Sequence, residues 1–459
     1  MKKVVVLLLI IVVCLSFKGI TELIDFEPVP IPASAQRTGG DISKGYAYLT
    51  TGDYVKGGIP FNFFLMGMGK PANNYLERTG KNEKLSHEYT AVKSRGEILV
   101  APNCMQCHAQ VFDDSLIMGM GNTFIDFSAD KKLSEKNLRK VSNMLKLTAP
   151  KKYAAAQPFL EVARTIGPHL HTKVQGVNAA DRLAAVLVAH RDPETFKWNK
   201  NASLEIPDMV IPTDVPAWWL LKKKNAMFYN GFGRGDFGRF LMASNLLTVN
   251  DTAESREVDS HMPDVLAYLY SLEAPKYKKP INNQLAQKGE TVFNVSCSKC
   301  HGTYGTVDTY PNLLIPSAVI QTDTLLFSSN YSAPQFVEWF NKSWFTTGDH
   351  PARLEPFNGY IAPPLDGIWA TAPYLHNGSV PTLETLLNSS KRPAYWSRDF
   401  QQPVYDYTSL GWIYKKHDDA NSSNIYNTTL PGYSNEGHYF GDRLTEDERV
   451  AVLEYLKTL

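Results

Sequence analysis

The chain contains 459 residues, with 47 Lys and Arg against 46 Asp and Glu, so its formal net charge at pH 7 is only +1. This balance excludes the strongly basic footprint of proteins that bind nucleic acid through their overall charge, and we expect no nucleic-acid partner. The length allows two or three domains. The aromatic share of 12% suits either ordinary cores or the walls around a large, flat cofactor.

The N-terminus carries a short basic stretch followed by an apolar run. Lys2 and Lys3 precede residues 4–17, which are almost wholly apolar. This arrangement is typical of a secretory signal, whereas a full membrane span needs about 20 apolar residues. The small-residue cleavage pattern at 33–35 lies well beyond the run, so residues 1–18 are predicted to be either a signal peptide or an uncleaved anchor. The sequence therefore predicts a periplasmic or extracytoplasmic protein, with the anchored form held at the inner membrane.

Two further segments precede the first strong motif. Residues 19–40 include alternating prolines at 28, 30 and 32, which predict an extended linker. Residues 41–85 are rich in Gly, Tyr and Phe, and their glycines interrupt any long periodicity. We predict an irregular N-terminal lobe for this segment.

Two pentapeptides, at 104–108 and 297–301, have the form C-x-x-C-H. In this signature both cysteine sulfurs bond covalently to a haem, and the histidine becomes the proximal iron ligand. The two copies use four of the five cysteines in the chain, so we expect two covalently bound haem c groups and no structural disulfide. The predicted attachment residues are Cys104, Cys107, Cys297 and Cys300, and the predicted proximal ligands are His108 and His301.

Helical patterns surround both motifs. One pattern begins at Ser86 and leads into the first motif, and another at 283–295 leads into the second. The last helix starts after Thr445, which forms a capping box with Glu448. Further helices are predicted near 131–147, 151–166, 179–190 and 262–272. These patterns predict a mainly α fold with two tandem cytochrome c-type haem domains, 86–278 and 279–459, with long loops and an irregular N-terminal extension.

The distal iron ligands decide between electron transfer and reaction chemistry, because a haem with two strong protein ligands has no free position for a substrate. All 11 methionines lie at or before Met262, so the second haem domain contains no methionine. Its own candidates for the distal ligand are His350, His376, His417 and His438, or a tyrosine.

The first haem has more candidates, and the sequence leaves them open. A lone His or Met is more often a core or surface residue than an iron ligand. The aromatic residues Trp218, Trp219, Phe228 and Phe232 either wall a haem pocket or fill a core. The candidate distal ligands are Met118, Met120, His169, His171, His190, Met227, Met242 and His261.

One stretch of the second half resembles a known family. Residues 372–379 read A-P-Y-L-H-N-G-S and are followed by P-T-L at 381–383. This resembles the motif of the bacterial dihaem cytochrome c peroxidase and MauG superfamily. The neighbouring residues 362–369 and the ending through Gly437-His438 resemble its rubber-oxygenase branch most closely.

The resemblance implies roles for particular residues. Peroxidases of this superfamily carry a methionine ligand after the motif, but position 390 here is Ser, so a His/Met second haem is not expected. The oxygenase branch implies that His438 is the distal ligand of a six-coordinate second haem, and that His376 lies near the haems without ligating iron. It also implies an open first haem.

These points predict an exported dihaem oxidoreductase of the peroxidase or oxygenase kind. The first haem would use peroxide or dioxygen, and the second would store and transfer electrons. The expected partner is a redox protein or a small oxidisable substrate. The alternative is a periplasmic electron-transfer cytochrome with both haems six-coordinate.

Overall fold

The computed structural model describes residues 27–128 and 135–459. The fold is mixed α/β, with 41% helix and 14% strand in several small sheets, so the predicted mainly α class of two tandem haem domains is wrong. The helix expected from Ser86 shows the reason. Residues 89–94 and 97–102 instead form an antiparallel hairpin, because Arg95 and Gly96 both adopt positive φ, at 50° and 78°. Two such residues make a tight hairpin turn.

Helices occur throughout the described residues, and a single helical turn lies within each motif. Short 3₁₀ turns lie between them, among them Trp218–Lys223, Met242–Leu247, Ile368–Ala370 and Tyr439–Arg443. The α-helices are α1 (Ile42–Thr51), α2 (Phe61–Met68), α3 (Met105–His108), α4 (Glu135–Thr148), α5 (Pro150–Ile166), α6 (Ala180–Ala189), α7 (Phe237–Leu241), α8 (Thr252–Ser260), α9 (Met262–Ser271), α10 (Asn283–Ser296), α11 (Ser298–His301), α12 (Ser317–Ile320), α13 (Leu325–Ser332), α14 (Pro334–Lys342), α15 (Leu383–Leu387) and α16 (Glu446–Leu456).

The strands are short and pair antiparallel. The three-stranded sheets have the orders β1-β8-β10, β2-β4-β3 and β14-β11-β15, and β5-β6, β7-β9 and β12-β13 are two-stranded. The strands are β1 (Val29–Pro30), β2 (Ile59–Pro60), β3 (Tyr89–Ser94), β4 (Glu97–Pro102), β5 (Ala109–Phe112), β6 (Ser115–Met118), β7 (Gly233–Gly235), β8 (Leu313–Pro316), β9 (Ala352–Leu354), β10 (Gly359–Ile361), β11 (Tyr395–Arg398), β12 (Tyr405–Asp406), β13 (Gly411–Trp412), β14 (Tyr414–Lys416) and β15 (Tyr426–Asn427).

Each half contains one close crossing of two helices. In the second half α10 crosses α16, and a Cβ added at Gly289 would lie 1.9 Å from the carbonyl oxygen of Ala451. In the first half α1 crosses α9, and a Cβ at Gly45 would lie 2.0 Å from the carbonyl oxygen of Asp264. Glycine permits both approaches because it has no side chain. The partner of the closing helix in the first half is therefore α1, which lies in the segment predicted to be irregular.

The two halves share one core. The largest apolar cluster joins α9, the 218–223 turn and α7 from the first half to Trp339, Phe345 and Leu354 from the second. Strand β7 pairs with β9 across the same boundary, with Gly233 opposite Leu354. Within the residues that the structure describes, none of the helices combines the length and apolar character that crossing a bilayer requires. The run at 4–17, predicted to be a signal or anchor, lies outside those residues.

Candidate functional site: two C-x-x-C-H motifs

The second motif sits where α10 ends. Cys297 follows that helix, and α11 carries Cys300 and His301 on its single turn. The Nδ1 of His301 lies 2.8 Å from the carbonyl oxygen of Pro363. A carbonyl can only accept, so His301 carries its proton on Nδ1 and presents a free lone pair on Nε2. Histidines that ligate metals are usually oriented by such a hydrogen bond.

His438 faces His301 across a gap that suits a bound metal ion. The centroids of the two rings lie 6.1 Å apart. A bond between a metal and an imidazole nitrogen is about 2.0 Å long, so two imidazoles on opposite sides of one ion have centroids roughly 6 Å apart. Burial lowers the pKa of His301, and it lowers that of His438 to about 3, which keeps both rings neutral and able to ligate. These residues fit a bis-histidine haem.

The loop before His438 is held by backbone contacts. A Cβ at Gly437, whose φ is +80°, would lie 2.3 Å from the backbone nitrogen of Thr322, so only glycine fits there. The backbone N–H of His438 donates to the carbonyl of Ile320 at 2.8 Å. Arg392 donates to the carbonyl of Gly437, also at 2.8 Å. These contacts fix the position of the backbone at His438.

His376 occupies a different buried place. Its ring stacks on Tyr360, with centroids 4.1 Å apart, and its Nε2 lies 3.1 Å from the hydroxyl oxygen of that tyrosine. Burial lowers the pKa of His376 to about 3. Because Tyr360 already engages its Nε2, the geometry favours His438 over His376 as the distal ligand.

The first motif has different surroundings. The ring of His108 stacks on Trp218, with centroids 4.2 Å apart and an angle of 16° between the planes. The Nδ1 of His108 is buried and has no hydrogen-bond partner among the described residues. The amide of Asn178 lies 3.2 Å from the sulfur of Cys107, and the backbone N–H of Cys104 donates to the hydroxyl of Tyr54 at 3.0 Å.

A small apolar cavity of about 20 Å³ lies beside Cys104. Its lining is almost entirely apolar and includes Trp218. Met242, one of the candidate ligands, lines this cavity, and so does Met262, which sequence reasoning did not single out. The other residues of the lining are Tyr48, Leu49, Tyr54, Leu241, Ser244, Val258, Val265 and Leu269.

The remaining candidates for the first haem lie in other contacts. His190 stacks on Trp198 and engages the carbonyl of Asn199, and His261 stacks on Tyr48 with centroids 4.0 Å apart. Of the four aromatic residues suggested as a wall, Trp218 lines the cavity. The indole of Trp219 donates to the carbonyl of Asp366, and Phe228 and Phe232 pack against each other. His169 and His171 lie near a 3₁₀ turn, Met118 lies in β6, and Met120 and Met227 are buried.

Sequence reasoning missed an internal repeat. Residues 227–233 and 374–380 form the same turn, closed in each by an antiparallel bridge between its ends. Phe228 and Leu375 have φ of 68° and 66°, and Gly231 and Gly378 have φ of 62° and 68°. Only the Asn-Gly pair is shared in sequence, at 230–231 and 377–378. Tyr229 thus holds in the first half the position that His376 holds in the second.

The two turns meet at a partly buried carboxylic acid. The hydroxyl of Tyr229 donates to Asp214 at 2.7 Å, and the backbone N–H of Asp214 donates to the carbonyl of His376, also at 2.7 Å. Burial raises the pKa of Asp214 to about 7, although the phenol of Tyr229 and the charge of Arg398 act in the opposite direction. A carboxylic acid that keeps its proton up to neutral pH therefore lies between the two turns.

Comparison with known proteins identifies part of this region. A family model described as RoxA-like, cytochrome c-like matches residues 359–397, which contain Pro363 and the turn with His376. The match shows a cytochrome c-like relationship, which implies haem c. It does not extend to the peroxidase and MauG superfamily, which stays a prediction.

Two proteins of Sinorhizobium fredii (strain NBRC 101917 / NGR234), both named only as uncharacterized, are similar to the chain. Protein y4iM is 28% identical over 274 residues, which cover 54% of this chain and 62% of that protein. Protein y4iJ is 42% identical over 111 residues, which cover 22% of this chain and 18% of that protein. The chain thus matches less than two thirds of the length of either relative.

Proposed function

We propose that this chain is an exported c-type cytochrome that binds two haem c groups, one at each C-x-x-C-H motif, and acts as an oxidoreductase. The second haem stores and transfers electrons. The first haem is the reactive centre and takes peroxide or dioxygen. The electrons come from a redox partner protein or from a small oxidisable substrate.

The difference between the surroundings of the two proximal histidines carries this proposal. His301 has an opposing imidazole at the separation that one six-coordinate metal ion requires, and such a site transfers electrons. His108 instead stacks on an indole beside an apolar cavity. The apolar walls of this cavity exclude water.

The residues of the chain have distinct roles in this proposal. Haem c supplies one-electron storage at the second site and a position for peroxide or dioxygen at the first. Pro363 orients His301 through its carbonyl, and Trp218 holds the ring of His108 by stacking. The apolar side chains around Cys104 keep water out of the cavity.

A continuous path of protein groups joins the two proximal histidines. His108 stacks on Trp218, and the next residue, Trp219, donates its indole N–H to the carbonyl of Asp366 at 2.9 Å. Asp366 lies three residues after Pro363, whose carbonyl accepts from His301. These contacts support electron exchange between the two sites through the tryptophan pair.

One observation favours the alternative, an electron carrier with both haems six-coordinate. Met242 and Met262 line the cavity beside Cys104, and a thioether is a common sixth ligand in c-type cytochromes. If either sulfur ligates the first iron, the reactive position is filled.

Optical and EPR spectra before and after addition of imidazole or peroxide test the proposal. We expect one low-spin haem that ignores both additions and one high-spin haem that responds to each. Two low-spin haems that ignore both additions, in oxidised and in half-reduced protein, would contradict the reactive first haem. A first haem that becomes high-spin only in Met242→Ala or Met262→Ala would identify the ligand of the carrier instead.

Export is tested separately. We expect the haem-loaded protein in the periplasmic fraction, and N-terminal sequencing shows whether residues 1–18 are removed. A haem-free chain confined to the cytoplasm would contradict this part of the proposal.

A further inference from the structure

The helix pair α4–α5 presents an unusual outer surface. Leu138, Val141 and Leu145 recur at helical spacing on α4 and pack against Phe159 and Leu160 of α5. This apolar stripe fixes which side of α4 faces the protein. The opposite side, which carries Lys136, Lys140, Met144 and Leu147 at helical spacing, faces outward.

The outward side combines positive charge with exposed apolar side chains. Leu147 is 84% exposed and Met144 is 40% exposed. Residues 136–152 contain six Lys or Arg and no Asp or Glu, although the whole chain is almost neutral. A helix that only needs to be soluble carries polar residues at such positions, so the combination points to a partner.

Helix α2 extends this surface. Phe63 packs against the α4–α5 cluster, and the ammonium of Lys152 lies 5.8 Å from the centroid of its ring. One turn further along α2, Met66 is 73% exposed and Met68 is 43% exposed. Lys70 follows directly and is also exposed. We call the outer sides of α2 and α4, with the beginning of α5, the basic apolar face.

We propose that the basic apolar face lies on the surface of a bilayer that contains anionic lipid. The lysines would contact lipid head groups, while Met66, Met144 and Leu147 enter the boundary between head groups and acyl chains. Each basic residue near an anionic bilayer adds roughly 1 kcal/mol of attraction, and long lysine side chains reach the head groups while their stems stay apolar. An acidic protein would also attract the lysines, but exposed apolar side chains next to lysines suit the boundary between head groups and acyl chains.

The proposal does not depend on the chemistry of the haems. It agrees with the apolar run predicted at 4–17, which would bring the chain to a membrane, but it concerns a separate contact. The run is preceded by Lys2 and Lys3, so substitutions in α4, which leave the N-terminus unchanged, distinguish the two contacts.

Vesicle co-sedimentation of the haem-loaded full chain tests this inference, with vesicles of phosphatidylcholine with and without phosphatidylglycerol. We expect stronger binding when phosphatidylglycerol is present. The difference should disappear in about 1 M salt, where the Debye length falls to about 3 Å. Equal binding to both vesicle types would overturn the proposal.

Matched variants locate the contact. Leu147→Asp should weaken binding to the anionic vesicles about tenfold, whereas Val295→Asp, at a position that is also 84% exposed, should leave it unchanged. Lys136→Glu with Lys140→Glu should weaken binding at least as much, whereas Lys276→Glu with Lys342→Glu, an equal change in net charge at other exposed positions, should have a small effect.

All these substitutions are on the surface, and circular dichroism checks that the fold is kept. Unchanged binding by Leu147→Asp and by the double α4 variant would overturn the proposal. Loss of binding to an acidic protein column in these variants, together with unchanged vesicle binding, would assign the face to a protein partner instead.

Discussion

Each half of the chain contains a C-x-x-C-H motif, a close helix crossing and the same glycine-containing turn, but the two halves surround the histidine of the motif differently. In the second half Pro363 fixes the ring of His301, and His438 stands opposite it. In the first half Trp218 stacks on His108 beside an apolar cavity. The comparison teaches that the same C-x-x-C-H signature can stand in two different environments, and that residues distant in sequence create the difference.

The largest expected effect concerns the number of haems. Cys297→Ala with Cys300→Ala should remove one covalent haem and leave the other, because each motif attaches its own group. Mass spectrometry of the intact chain and a haem stain after denaturation measure this. The reciprocal change, Cys104→Ala with Cys107→Ala, should also leave one haem. A wild-type chain that carries only one haem would contradict the proposal that each motif attaches its own group.

A change of spin state should follow from removal of His438. His438→Ala takes away the ring opposite His301, so the second haem should become high-spin while its covalent attachment remains. His376→Ala is the matched control, because its ring engages Tyr360, and it should leave the second haem low-spin. EPR distinguishes the two outcomes. A second haem that stays low-spin in His438→Ala but becomes high-spin in His376→Ala would identify His376 as the distal ligand instead.

Removal of the Trp218 side chain should affect the first site alone. Trp218 is 3% exposed, and truncation of a buried tryptophan to alanine costs about 3–5 kcal/mol of stability. Trp218→Ala should therefore lower the urea midpoint and change the spectrum of the first haem, while the second haem keeps its spectrum. Trp218→Phe keeps an aromatic ring against His108, so it should have a smaller effect on the urea midpoint and on the spectrum of the first haem. Equal spectral changes at both haems would show that the sites are not independent.

Asp214 should make stability depend on pH. Its pKa rises from 3.8 to about 7 on folding, so the folded chain holds a proton that the unfolded chain releases. Its contribution to stability is full below about pH 4 and is lost as the pH rises toward 7, by on the order of a few kcal/mol.

Denaturant midpoints between pH 4 and 8 measure this loss. Asp214→Asn should remove it because an amide does not titrate, whereas Asp399→Asn, at an exposed carboxylate, should keep the wild-type slope. An unchanged slope in Asp214→Asn would assign the pH dependence to other groups.

The smallest effects should come from the repeated turn, and they should be unequal. Gly231→Ala and Gly378→Ala both place a side chain at positive φ, which costs about 1 kcal/mol. At Gly231 the new methyl would also lie 2.7 Å from a methyl of Leu314 and 2.8 Å from Ile361, whereas at Gly378 the nearest atom is 3.5 Å away. Overpacking adds about 1–3 kcal/mol, so Gly231→Ala should be the more destabilising. Thermal unfolding of the two variants measures the difference.

Local signals in the sequence were sufficient for several features. The capping box of Thr445 and Glu448 is confirmed at the start of α16, and helices at 150–166, 180–189 and 283–296 lie close to their predicted positions. These features depend on residues within one or two turns of each other, so spacing alone identifies them.

Features that depend on distant residues were not predictable in the same way. The sequence pattern from Ser86 is compatible with a helix. Only the structure shows that Arg95 and Gly96 adopt positive φ and reverse the chain there. The partner of α9 is α1 because Gly45 allows the approach, and nothing near 262–271 indicates this. The repeated turn shares only its Asn-Gly pair in sequence, so its common backbone is visible only in the structure. His438 was expected opposite His301 through family resemblance rather than through spacing.

The pairing of strand β1 limits the order in which parts of the fold can form. Val29 pairs with Leu314, and the N–H of Ile31 donates to the carbonyl of Asn312. The beginning of the described chain therefore forms a strand of a sheet in the second half. At synthesis rates of about 5–20 residues per second, Leu314 follows Val29 after on the order of tens of seconds. Until then β1 has no partner. When β8 has been synthesised, it still lacks β10, its other neighbour in the sheet. The β1–β8 pair can therefore form only after both C-x-x-C-H motifs have been synthesised.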